Sequence, residues 1–193
     1  MPTNTYTTDY WAASYHCIAR CNLVLANLDV VDVPDLKVRF EAEARFIRAL
    51  VYFNLVRLFE GLPLVTTPIS GDEAAVMKRS SVDIIYEQII TDLQGAINNF
   101  PEDYEPLYGA AGHWAAKARL TRGDQAGAAT LLEDIVARSG YSLHGNYAEL
   151  FSDASELSQN EIMFAVRFTS GGLGLGSSLA NYFAPKGYLS SQS

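Results

Sequence analysis

The chain has 193 residues, 49% of them apolar and 19% charged, with a net charge of −8 at neutral pH. This length suits one domain or one large piece of a bigger one, and can hide roughly 70% of the surface that the unfolded chain exposes. The acidic balance, with no cluster of Lys and Arg, excludes binding to phosphate backbones, and no stretch approaches the ~20 unbroken apolar residues of a membrane span.

The first periodic segment runs from about Asp9 to Leu28. Trp11, Tyr15, Ile18, Leu25 and Leu28, with Cys17, Cys21 and Val24, form a broad apolar stripe at helical spacing. The two cysteines share one helix face, but their Cβ atoms stack along the axis in poor disulfide geometry. Only His16 stands near as a further metal ligand, so the thiols are expected as small apolar groups in a helix seam. A turn at Val30 to Val33 leads to Pro34 at a first helical position, and the helix it opens extends to Phe59. Ala, Leu, Glu and Arg fill it, Glu41 and Arg45 pair at i,i+4, and from Phe46 it is apolar almost all round, which predicts burial on most sides. Gly61 and Pro63 close it.

Gly61 to Met77 reads as a linker with a brief extended piece at Leu64 to Thr67. Ser80 or Ser81 caps a third helix, Val82 to Phe100, which Pro101 stops. Glu102 to Gly109 reads as a Tyr- and Pro-containing loop. Two further helices follow, Ala110 to Arg122 and Asp124 to Ser139, broken at Gly123 and ended at Gly140. Their small-residue pattern resembles a tetratricopeptide hairpin, which must stack on neighbours to bury its apolar faces. Tyr141 to Phe151 reads as an irregular turn with a short helix, Glu161 to Phe168 as a strand, and Gly171 to Gly176 as a loop. The fold class expected is mainly α: a tetratricopeptide-like helical bundle or superhelix with a short β element and an irregular C-terminal region. Residues 1–140 are expected to form the scaffold and 141–193 a partial, mostly irregular segment of the same larger domain.

Several strings occur in an order that resembles the SusD/RagB family. They are Trp11…Tyr15…Ile18…Cys21-Asn22, then Glu41 to Ile69 with its Pro63-Leu64-Val65 turn, then Arg79-Ser80-Ser81 with Tyr86, Asp92-Leu93 and Ala96. Gly112 to Asp124, Ser139-Gly140-Tyr141 with Leu143, Tyr147 with Leu150-Phe151, and Glu161-Ile162 with Phe164 complete the series. Glu60 departs from it, standing where the family more often has glycine. The resemblance implies a glycan- or nutrient-binding lipoprotein of the outer membrane, partnered by a TonB-dependent transporter, without cofactor and without catalytic activity. It also implies a chain truncated at both ends: Met1 to Asp9 lacks the basic and apolar regions of a signal peptide. The competing expectation is a tetratricopeptide-like protein-interaction scaffold with no small ligand.

Catalytic patterns are weak. His16, His113 and His144 fall in different elements without metal spacing, and His113 beside Trp114 is expected as a packed or capping group. Gly176 to Ala180 lacks the strand a nucleophile elbow needs. Glu102, Asp103 and Glu105 sit in a stretch that offers no rigid cleft for two acids. Sugar binding instead needs flat aromatic faces with polar neighbours. Tyr10, Trp11, Tyr104 and Tyr108 are the candidate ligand-binding residues, with Tyr6 and Tyr182 as further aromatics in loops or helix starts.

Overall fold

A computed structural model describes residues 4–100, 105–138, 141–143, 145–146, 161 and 163–164. The chain divides into two compact units, Met1–Met163 and Phe164–Ser193, and every element below belongs to the first. Six α-helices occur among the described residues: α1 Thr5–Ala26, α2 Pro34–Phe59, α3 Gly71–Val76, α4 Val82–Asn99, α5 Glu105–Thr121 and α6 Gln125–Arg138. A 3-10 turn at Leu28–Val30 joins α1 to α2. The mainly helical class is as expected. Of the predicted strand at 161–168, the residues other than 161, 163 and 164 lie outside the described residues, as does the glycine-rich loop.

Packing follows chain order. α1 lies on α2, α2 on α4, α4 on α5, and α5 on α6, the nearest-neighbour stacking of a repeat-like bundle. α2 is the shared element. Phe46, Ala49, Tyr52, Phe53 and Leu55 are each at most 1% exposed, so it is buried on most sides, as its apolar composition requires. Phe53 receives Tyr86 of α4 and Trp114 of α5 edge-on, at ring-centroid distances of 6.1 and 5.2 Å. In the α5–α6 hairpin, Gly112 faces Ile135 so closely that a Cβ would meet Ile135 Cδ1 at 2.7 Å. Gly123 turns the chain at φ 83°, and Asp124 accepts the Gly127 N–H at 2.9 Å to cap α6.

Two sequence expectations are corrected. α5 begins at Glu105, five residues before the predicted start, so Tyr108 is helical and not in a loop. Its hydroxyl donates to Asp134 of α6, a tertiary contact that extends the helix through a stretch whose Tyr and Pro content suggested a loop. Within the predicted linker, Ser70-Gly71-Asp72-Glu73 forms a capping box and starts α3: Glu73 N–H bonds the Ser70 hydroxyl, and the Glu73 carboxylate accepts from Ser70 N–H at 2.7 Å.

The turn after α2 concentrates strain. Glu60 takes φ 59°, ψ −129°, a positive-φ conformation in which glycine is the natural occupant. Gly61 cannot be exchanged for it, because a Cβ there would sit 2.6 Å from the Ser80 carbonyl oxygen. That crowding arises where Ser80 N–H donates to Leu62 O at 2.9 Å, the one β-bridge among the described residues. Glu60→Gly should therefore raise stability by about 1 kcal/mol by relieving positive-φ strain. Gly61→Ala should lower it by about 2 kcal/mol. Urea unfolding of the two variants measures both, and equal and unchanged midpoints would contradict this account.

Candidate functional site

The segment between α2 and α4 is tied down at its root by a buried polar network. Arg48 of α2 donates from Nε and Nη2 to the two carboxylate oxygens of Asp92 on α4, at 2.8 and 2.7 Å. Its Nη1 donates to Asn22 Oδ1 of α1 at 2.7 Å and to the Thr66 carbonyl at 2.9 Å. Asn22 Nδ2 in turn donates to the Val65 and Thr67 carbonyls at 3.0 and 3.2 Å. Tyr52 accepts the Val65 N–H at 2.8 Å and donates to Val65 O at 3.0 Å; burial pushes its phenol up to about 12, so it stays a donor. Tyr15 of α1 donates to Pro63 O at 2.7 Å, and burial raises its phenol likewise. Arg48, Asp92 and Asn22 are 3%, 0% and 1% exposed, and none of their polar atoms lacks a partner.

Beyond the root the segment stands away from the bundle. α3 packs on no other described helix, and all six of its residues are exposed. Between it and α1 lies a cavity of about 630 Å³. Trp11, Tyr15 and His16 form part of the α1 wall, and Pro63, Ile69 and Met77 part of the facing wall. Trp11 is half-buried: its ring lies 4.9 Å from Tyr15 and takes Phe59 edge-on at 5.0 Å.

The predicted aromatic candidates do not converge on one site. Trp11 lines the cavity, whereas Tyr10, one residue away and 41% exposed, is not among its walls. Tyr108 lies in the α5–α6 hairpin, and α5 shares no contact with α1 among the described elements. Tyr104 lies outside the described residues, as do Glu102, Asp103, His144 and Tyr182. His113 is exposed and edge-on to Trp114; desolvation and then Lys117 lower its pKa, disfavouring the imidazolium. Sequence reasoning missed Arg48, Asp92 and Asn22. The signal was present: Arg48 sits four residues before Tyr52 and Asp92 three after Ile89, charges on inner stripes that a solvated face would not share.

Among the described residues, no group of three or more His, Cys, Asp and Glu side chains could hold a metal, and no helix is long and apolar enough to cross a membrane. Cys17 and Cys21 are free thiols, the second buried as expected and the first half-buried. The neighbouring Cys21 thiol pulls the Cys17 pKa down, against burial, while Cys17 and burial raise that of Cys21.

Residues 1–123 match a family model, SusD-like, described as starch-binding and associating with the outer membrane. A SusD-like protein of Formosa agariphila is 32% identical over 169 residues, 83% of this chain and 32% of that protein. Among solved structures, a laminarin-binding SusD-like protein is 32% identical over 77% of this chain and 35% of its own, with a TM-score of 0.72. A SusD-like carbohydrate-binding protein from Bacteroides fragilis is 26% identical over 88% and 34%, with a TM-score of 0.82. The chain thus spans about a third of the length of these relatives.

Two outcomes follow from this geometry. Arg48→Ala strips the buried Asp92 of its bidentate partner, leaving only the longer Arg45 contact at 3.3 Å, and should cost about 3 kcal/mol in urea unfolding, while the joint change Arg48→Met with Asp92→Leu should recover much of that loss. Iodoacetamide at pH 7 should alkylate Cys17 well before Cys21, because Cys17 is the more accessible thiol and its pKa is shifted down while that of Cys21 is shifted up. Cys21→Ala should slow the Cys17 reaction, and trypsin cleavage after Arg20 lets mass spectrometry read the two sites separately.

Proposed function

The chain belongs to the SusD-like family, and from that premise we propose that it is the helical scaffold part of a glycan- or nutrient-binding subunit of an outer-membrane uptake complex. Its partner in this reading is a TonB-dependent, SusC-like transporter, its location the outer-membrane surface as a lipoprotein, and its role capture without cleavage. Residues 1–140 supply the helical scaffold and residues 141–193 a segment of the same larger domain. The observation that carries the reading is the 32% identity and 0.72 TM-score to a structure named as laminarin-binding. A bare tetratricopeptide-like scaffold explains the α5–α6 hairpin but not the identity that extends across 83% of the chain.

Sugar rings stack their C–H faces on aromatic rings and need hydroxyl partners at the edges. Tyr10 and Trp11 on α1 are the residues assigned that stacking role, with Tyr108 of α5 and Tyr104 as the further candidates. Tyr10 and Trp11 stand on α1 and Tyr108 on α5, elements that share no contact, so these candidates suit an extended chain of sugars better than a single monosaccharide.

Calorimetric titration of the protein with laminarin and malto-oligosaccharides tests the reading. Binding of at least one series is expected, and the double change Tyr10→Ala with Trp11→Ala should weaken it roughly threefold to tenfold per stacked ring. Heat signals absent across a broad panel of glycans would sink the proposal. A pull-down recovering only soluble partners, with no transporter barrel, would favour the scaffold reading instead.

A further inference from the structure

The ends of α2 and α5 meet beside the start of α4. The Leu62–Ser80 bridge brings the end of α2 to the start of α4, and the Arg122–Asp83 ion pair brings the end of α5 to the same place. Each helix contributes a ring to this corner: Phe53 of α2 packs edge-on with Tyr86 of α4 at 6.1 Å and with Trp114 of α5 at 5.2 Å. Each ring in turn carries a cation. Arg57 Cζ stands 4.7 Å from the Phe53 centroid, Lys117 Nζ 4.9 Å from that of Trp114, and Arg122 Cζ 5.9 Å from that of Tyr86. All of these cations are on exposed residues. In a chain of net charge −8 their grouping runs against the general balance.

Ion pairing separates these cations. Arg122 is taken up by Asp83, and nearby Arg119 by Asp124. Arg57 and Lys117 have no carboxylate partner among the described residues: Arg57 donates from Nη2 to Asn54 Oδ1 at 3.0 Å, and Lys117 rests on Trp114. The other acidic side chains in the same turns are Glu60 after α2 and Glu87 on α4. A cation resting on an aromatic face is already ordered, so an anion that meets it need not immobilise a free side chain. The guanidinium keeps donors of its planar fork for a carboxylate even with Asn54 engaged. Neutral hydrogen-bonding groups flank the pair. The His113 ring is exposed and edge-on to Trp114 at 6.0 Å, and the Asn54 amide stands next to Arg57. Desolvation and then Lys117 lower the His113 pKa, so its imidazole is uncharged at neutral pH and can both donate to and accept from hydroxyls.

We propose that the corner of Arg57 and Lys117 binds an acidic sugar, with the carboxylate of a uronate residue taken by the two cations and its hydroxyls by His113 and Asn54. The neutral partners beside the cations suit hydroxyls, which an acidic peptide lacks. The corner uses none of the aromatic residues assigned to stacking. It rests on the glycan reading and narrows it to sugars that bear a carboxylate.

Calorimetric titration of the full chain at low ionic strength tests it with oligogalacturonate, its methyl ester, which keeps the shape and removes the charge, and an oligoglutamate peptide. The acid should bind roughly tenfold or more tightly than the ester and the peptide, as charge-assisted hydrogen bonds require. Added salt should shrink that margin by screening exposed charges. Arg57→Gln with Lys117→Gln should abolish it, with circular dichroism matching the parent because both positions are exposed. Arg20→Gln with Lys37→Gln makes the same change in net charge on α1, which touches neither α4 nor α5, and at the start of α2, and should leave the margin intact. An equal fall in both double variants would overturn the site, because only net charge would then matter. Equal binding of acid and ester, or of acid and peptide, would overturn the ligand class. If neutral glycans bind and oligogalacturonate does not, this proposal fails while the glycan reading stands; if no glycan binds, both fail.

Discussion

The bidentate pair of Arg48 with Asp92 decides how the chain between α2 and α4 lies on the bundle. A guanidinium presents donors in a rigid planar fork, and here both edges of that fork are used: one holds the Asp92 carboxylate, the other Asn22 Oδ1 and the Thr66 carbonyl. Three helices and one extended segment therefore meet at a single side chain. Burying two charges is expensive, and the cost is tolerable only when every remaining donor and lone pair is met. Asn22 and Tyr52 supply that completion, and in doing so they satisfy the backbone of Val65 and the Thr67 carbonyl, which helical neighbours cannot reach. Apolar replacements of the same shape could give equal stability. They could not fix the path of residues 63–67, because dispersion contacts carry no direction.

That directional constraint explains the site. With its root held, the segment must leave the bundle and return to it within a few residues, and the return is made at Leu62–Ser80. The close approach there excludes a Cβ at Gly61, and the turn preceding it forces Glu60 into a backbone conformation suited to glycine. The loop so closed carries α3 clear of the other helices, and the space beneath it becomes the cavity. The strain at Glu60, the cavity and the exposed short helix all lie along the one segment that the buried network ties to the bundle.

The aromatic residues illustrate how a single residue type divides by environment. Trp11 and Tyr108 share the composition of sugar-stacking side chains, yet each is partly engaged within the bundle, Trp11 through Tyr15 and Phe59 and Tyr108 through Asp134. Tyr10, adjacent to Trp11, is turned to solvent because helical geometry rotates successive side chains by about 100°. Proximity in sequence thus says little about which face a ring serves.

Local patterns determined a good deal by themselves. Pro34 and Phe59 bound α2 as the composition predicts, Ser81 caps α4, Gly123 breaks the hairpin, and the small residues of α5 foretell its close approach to α6. These are properties of short windows: a cap, a breaker or a 3.6-residue stripe acts within one or two turns, and so can be read from neighbours in the chain. The capping box at Ser70–Glu73 was legible in the same way, though hidden by the surrounding Pro and Gly. Tertiary structure alone decided the partner of Arg48, 44 residues away in Asp92, the docking of Asn22 on a loop 43 residues distant, and the extension of α5 back to Glu105. It also decided that Trp11 faces a cavity while Tyr10 does not. The reason is physical: burial and hydrogen-bond pairing depend on which surfaces meet, and that is set by the packing of the whole bundle and not by any window of sequence.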